Sequence, residues 1–156
     1  MQKNEEVKRY DGKTHYINRN LVGSKGWDSL EQLFLVLNDS MDYVVLRNFD
    51  NLLKEPITSE HGDVDILVDD FDLACNILSA LPIFGEKYRV AFWVMIGGKK
   101  IHFDIRSVAD GYLDSNWAKK ILRNRVLTKD SFFVPCHEDH FYSLLYHALL
   151  NKNHIS

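Results

Sequence analysis

The chain has 156 residues, 46% apolar and 26% charged, with a net charge of −3, which suits one soluble domain with a proper core and excludes a disordered or fibrous chain. The acidic balance argues against a general nucleic-acid binder, which would carry a basic face, and no stretch approaches the roughly 18 apolar residues that cross a bilayer. Two distant cysteines, Cys75 and Cys136, and a polar N-terminus without a secretory apolar run point to reduced thiols in a cytoplasmic protein.

Residues 1–26 are polar and punctuated by Gly12, Gly23 and Gly26. They read as an N-terminal arm with one short strand near Thr14–Ile17, ahead of a single domain over 27–156. Asp28 or Ser29 caps a helix carrying Leu30, Leu33, Phe34 and Leu37, with Trp27 as a hydrophobic staple. Asn38-Asp39-Ser40 stops it. Tyr43-Val44-Val45-Leu46 is a continuous apolar run, as in a strand buried on both faces. A long connection over 48–60, containing Pro56, then leads to His61-Gly62-Asp63, and loops so placed often hold ligand contacts.

Val64-Asp65-Ile66-Leu67-Val68 is a strand by β propensity. Side chains alternate between faces, so Asp63, Asp65 and Leu67 share one face, and Val64, Ile66 and Val68 share the other. Two carboxylates about 6–7 Å apart on one strand face repel unless a cation sits between them. Asp70 caps a helix through Phe71, Ala74, Ile77, Leu78 and Leu81, ended by Pro82. Tyr88–Met95 reads as a central strand. Gly97-Gly98 then makes a two-residue hairpin into a strand carrying Ile101, Phe103 and Ile105 on one face and His102, Asp104 and Arg106 on the other. An aspartate between apolar neighbours is a poor strand residue and suggests a task. His102, on an edge strand in this reading, has no assigned role.

Asp110-Gly111-Tyr112 breaks that strand. A helix follows over Ser115–Arg123 with Trp117, Ile121 and Leu122 inward, and Phe132–Pro135 forms an edge segment. The last helix, about Glu138–Asn151, has Phe141, Leu144, Leu145, Ala148 and Leu149 as its apolar stripe, with His147 and Lys152 either facing an acceptor or phosphate or lying on a solvated face. Cys136-His137-x-x-His140 beside Asp139 lacks both a second ligand cluster and the usual zinc spacings.

The order of elements implies an α/β or α+β domain with a mixed β-sheet, helices packed mainly on one side and the acids at one edge or face. If the two acid-bearing strands pair with matched faces, Asp63, Asp65 and Asp104 converge in a hard-oxygen site suited to Mg2+ or Mn2+. The strand Gly62-Asp63-Val64-Asp65-Ile66-Leu67-Val68, followed about 40 residues later by the Asp104 strand, resembles the nucleotidyltransferase superfamily. That superfamily includes DNA polymerase β and the aminoglycoside and minimal nucleotidyltransferases.

The resemblance covers roughly residues 30–110. It implies that Asp63 and Asp65 hold two metal ions bridging a nucleoside triphosphate, and that Asp104 ligates one of them and helps deprotonate an acceptor hydroxyl. Where the superfamily carries an apolar-Gly-Ser or Gly-Gly phosphate grip, this chain has Val45-Leu46-Arg47-Asn48-Phe49. Arg47, Asn48, Gly62 and Arg106 are therefore the candidate nucleotide-binding residues, and Arg106 has the alternative of a salt bridge to Asp63 or Asp104. The larger members have a further helical region, which leaves either a minimal member or a fragment. Two other classes fit parts of the pattern: a D-x-D glycosyltransferase, which would not need the third aspartate, and a non-catalytic binding or regulatory module that has lost the phosphate grip.

Overall fold

The computed structural model describes residues 26–54, 63–83 and 90–154, together with two upstream strands, β1 (Asn4–Lys8) and β2 (Thr14–Asn18). These two strands pair antiparallel, so the arm holds one strand more than its composition suggested. The remaining elements are α1 (Leu30–Ser40), β3 (Tyr43–Val45), β4 (Val64–Val68), α2 (Phe71–Leu78), β5 (Leu81–Pro82), β6 (Ala91–Ile96), β7 (Lys99–Ser107), α3 (Ser115–Arg123), β8 (Val126–Leu127), β9 (Phe133–Val134) and α4 (His137–His154).

The class is α+β, built on a mixed five-stranded sheet of order β3-β4-β7-β6-β5. Only the β4–β7 pair is parallel among these neighbours. β6 and β7 are joined at Gly97 and Gly98, whose φ values of 59° and 77° supply the left-handed pair that a two-residue hairpin requires. Because β6 covers its other side, β7 is the middle strand of the sheet. His102 is thus not an edge residue.

Alternation along the strands fills both faces. Val64, Ile66, Val68, Phe103 and Ile105 pack with Leu33, Phe34 and Leu37 of α1 and with Ala74 and Leu78 of α2. Val44, Leu46 and Leu67 point the other way and meet Ala118, Ile121 and Leu122 of α3. Helices therefore cover both faces instead of mainly one, because the centres of β3 and β4 are apolar on both sides and each must be shielded from water.

Two local expectations change for identifiable reasons, the place of Trp27 and the end of α2. Ser29 caps α1, accepting from the Gln32 N–H at 3.2 Å, while Trp27 forms a bridge to the sheet. The Trp27 N–H donates to the Met95 carbonyl at 2.8 Å, and its own carbonyl accepts from the Gly97 N–H at 2.7 Å. Gly26 makes this approach possible: at φ +100°, an added Cβ would lie 2.9 Å from Met95 Cβ. α2 stops at Ser79, a left-handed cap at φ 50°, and Leu81–Pro82 becomes an edge strand, where proline's missing donor is tolerated.

α4 turns its apolar stripe outward. Phe141 is 62% exposed and Leu149 53%, and Leu144 and Leu145 are exposed as well, while Asp139 and Ser143 are buried. Its inner face is held by polar contacts: the Tyr146 hydroxyl donates to the Tyr112 carbonyl at 2.9 Å, and Trp117 Nε1 donates to Asp139 Oδ1 at 3.4 Å. No helix among the described residues is long and apolar enough to cross a membrane.

Candidate functional site

β4 and β7 lie side by side, parallel, in a register that sets Asp65 directly across from Asp104. The flanking pairs, Val64 with Phe103 and Ile66 with Ile105, are buried in the core on the opposite face. Period-two alternation then leaves Asp65 on one face with His102, Asp104 and Arg106. This face opens into a cavity of about 470 Å3, a volume typical of small-molecule sites. The cavity is lined by Leu46, Arg47, Asp63, Asp65, Asp104 and Arg106, together with Asp110, Gly111, Tyr112, His147 and Leu150.

The carboxylates divide into two environments. Asp63 and Asp104 flank His102, with Nδ1 at 3.0 Å from Asp63 Oδ1 and Nε2 at 3.1 Å from Asp104 Oδ1. One donor atom from each of these three residues lies within 4.8 Å of the others. The ring edge of Trp93, paired with His102 across the β6–β7 ladder, packs beside the imidazole at 5.7 Å between centroids.

Asp65 lies deeper. Burial pushes its carboxyl up to about 7, the nearby Asp104 and Asp63 add to the rise, and Arg47 offsets part of it. The Arg47 guanidinium is 3.8 Å from Asp65 Oδ2. Among the described residues Asp63, His102 and Asp104 are placed so that they could hold a metal ion together, while Asp65 sits between Asp104, to which it is hydrogen-bonded, and Arg47.

Arg47 is 7% exposed and links three elements. Its Nη1 donates to His147 Nδ1 at 2.7 Å and its Nη2 donates to the Tyr112 hydroxyl oxygen at 3.2 Å. A guanidinium only donates, so His147 Nδ1 accepts and the imidazole is neutral there. Burial lowers the His147 pKa, and the Arg47 and Arg106 charges lower it further. Arg47 Nε is buried without a hydrogen-bond partner. Arg106 stacks on the Tyr112 ring, with its Cζ 4.1 Å from the ring centroid.

The other sequence candidates fall elsewhere. Asn48, at φ 58°, is exposed and is not among the residues lining the cavity. Gly62 and the end of the 48–60 connection lie outside the described residues. The described part of that connection, from Phe49 to Lys54, lines a separate cavity of about 250 Å3 with Thr128, Lys129, Asp130 and Phe132. The Cys136 thiol donates to Asp139 at 3.2 Å, and His140 packs against Phe49; among the described residues Cys136, His137 and His140 form no group of three placed to hold a metal.

Sequence alone assigns no role to His102, which lies between Asp63 and Asp104, or to Tyr112 in the cavity lining, and leaves His147, also in the lining, between an acceptor- or phosphate-facing role and a solvated helix face. Only His102 carried a signal, its phase with Asp104. Two carboxylates and an imidazole nitrogen, with a third carboxylate behind them and one buried guanidinium facing it, form an anion-rich donor set that a divalent cation fits. No family model matches the chain, and no curated protein or solved structure matches it either.

Proposed function

We propose that the chain is a metal-dependent nucleotidyltransferase. An acceptor hydroxyl would attack the α-phosphorus of a nucleoside triphosphate, an α-phosphorus–oxygen bond would form, and the bond to the bridging oxygen would break to release pyrophosphate. The observation that carries this reading is the parallel β4–β7 register, which sets Asp65 opposite Asp104 beside a cavity reached by Asp63, Arg47 and Arg106. Mg2+ or Mn2+ held by the aspartates would neutralise charge on the phosphates.

The protein's own groups have distinct tasks in this scheme. Arg106, braced on Tyr112, presents a guanidinium to phosphate oxygens. Asp104 receives the proton of the acceptor hydroxyl, and Asp63, at the cavity mouth, approaches the ligand from the solvent side. Thermal melts with each nucleoside triphosphate, with and without Mg2+ or Mn2+, test the scheme. Ligand at 100 times its dissociation constant adds roughly 2.7 kcal/mol of stability, so a metal-dependent rise is expected. No rise with any nucleotide would refute it.

One observation favours a second reading, a non-catalytic binding or regulatory module. Arg47 stands where the superfamily has its glycine pair and is committed to His147, Tyr112 and Asp65, which leaves it little freedom to grip phosphates. A chain of this kind would bind no metal–nucleotide. Stabilisation by a sugar nucleotide alone would instead support the D-x-D glycosyltransferase reading.

A further inference from the structure

We propose that His102 is a metal ligand, so that Asp63, His102 and Asp104 form a one-nitrogen, two-oxygen set that takes a first-row transition ion in preference to Mg2+. The inference rests on the aspartates being metal ligands, as above, but not on nucleotidyl transfer itself.

Three features support it. The imidazole nitrogens lie 3.0 and 3.1 Å from carboxylate oxygens of Asp63 and Asp104. These separations belong to opposite ring nitrogens, Nδ1 and Nε2, only one of which ligates a given ion, but one donor atom from each of the three residues lies within 4.8 Å of the others, close to the separation of about 4.2 Å between opposite ligands of an ion with bonds near 2.1 Å. The Asp65 carboxylate, which would complete an all-oxygen set, is hydrogen-bonded to Asp104 and lies 3.8 Å from the Arg47 guanidinium. The ring is also held in place: β7 is the middle strand, and Trp93 packs against the imidazole from β6. A ligand oriented by its surroundings loses little freedom on coordination.

The donor set then decides the ion. Mg2+ dehydrates reluctantly and favours oxygen ligands in near-ideal octahedral geometry. Imidazole nitrogen shifts preference toward Mn2+, Fe2+, Co2+ and Zn2+ along the usual affinity order. A second role for His102, as a cation bridging the two carboxylates, predicts a different outcome. It would affect all divalent ions alike and place no nitrogen on the metal.

The test uses the whole chain and Mn2+ alone, without nucleotide. Pulsed electron paramagnetic resonance of bound Mn2+ should reveal directly coordinated 14N in the wild-type protein, and competition titrations should give an affinity at least about tenfold above that for Mg2+. In His102→Gln the nitrogen coupling should vanish and the Mn2+/Mg2+ ratio should contract about tenfold. Bound Mn2+ without 14N coupling would overturn the proposal, as would a His102→Gln ratio equal to that of wild type, or no Mn2+ binding at all. The wild-type spectrum needs no variant, so poor folding of His102→Gln leaves the question answerable. Nitrogen coupling in a protein that no nucleotide stabilises would sustain this site while removing nucleotidyl transfer. Nucleotide binding with Mg2+ and no nitrogen coupling would do the reverse.

Discussion

Replacing Asp65 with asparagine probes the electrostatics of the site without changing its shape. Asp65 binds its proton more tightly in the folded chain than in the unfolded one, with its pKa pushed from 3.8 up to about 7. Its protonated form therefore favours folding below about pH 4. That contribution is lost as pH rises through about 7, and above this the ionised carboxylate carries its full penalty. At about 1.4 kcal/mol per pH unit, the interval sets a ceiling of about 4 kcal/mol.

The rise to about 7 is already net of the attraction to Arg47, and asparagine occupies the same space without the charge. Asp65→Asn is accordingly expected to be more stable than wild type by about 1–3 kcal/mol at pH 8 and equal to it within about 1 kcal/mol near pH 4.5. Urea unfolding in EDTA at both pH values measures this. A variant several kcal/mol less stable than wild type at pH 8 would refute the reasoning and make Asp65 a structural partner of Arg47.

Asp104→Asn is expected to keep metal–nucleotide affinity within about tenfold, near 1.4 kcal/mol, while transfer falls at least about a thousandfold, roughly 4 kcal/mol of transition-state stabilisation. Parallel binding and turnover assays check this, and equal losses in both would mean that Asp104 holds the substrate instead of activating the acceptor. Gly26→Ala should destabilise by about 1–3 kcal/mol, because it forces a side chain into a left-handed backbone against Met95; a loss below about 0.5 kcal/mol in urea unfolding would show that the bridge relaxes freely. Phe103→Ala, in the fully buried core, should cost about 3–5 kcal/mol. Leu145→Ser on the outer face of α4 should stay within about 0.5 kcal/mol of wild type in the same assay.

Local chemistry made much of the fold legible. The alternation through Asp65 and Asp104 fixes which residues share a face, and capping residues at 29 and 70 and two glycines at 97 and 98 mark helix starts and a hairpin. What escaped depended on distant partners. Helical spacing groups Phe141, Leu144, Leu145 and Leu149, but it cannot say which side of α4 faces inward. The inner side is polar because it meets Trp117 and the Arg47–Tyr112 pair. Ser79 ends α2 without the glycine that usually announces a left-handed cap. Tyr112 and His147 enter the site from a turn and a helix with no shared spacing, and their meeting at Arg47 is a property of tertiary structure alone.

The parallel pairing of β4 with β7 also has a kinetic consequence. β6 and β7 are neighbours in sequence, and a tight hairpin of that kind zips in microseconds. The β4–β7 ladder must close a loop of roughly 40 residues that includes α2, β5 and β6, and such non-local closure is late and slow. Asp65 and Asp104 are therefore strangers for most of the folding time. The carboxylate pair assembles only when this long-range seam closes, so a chain with only the hairpin formed carries His102 and Asp104 but no site. During refolding, capture of a divalent ion should lag behind hairpin formation and report completion of the sheet.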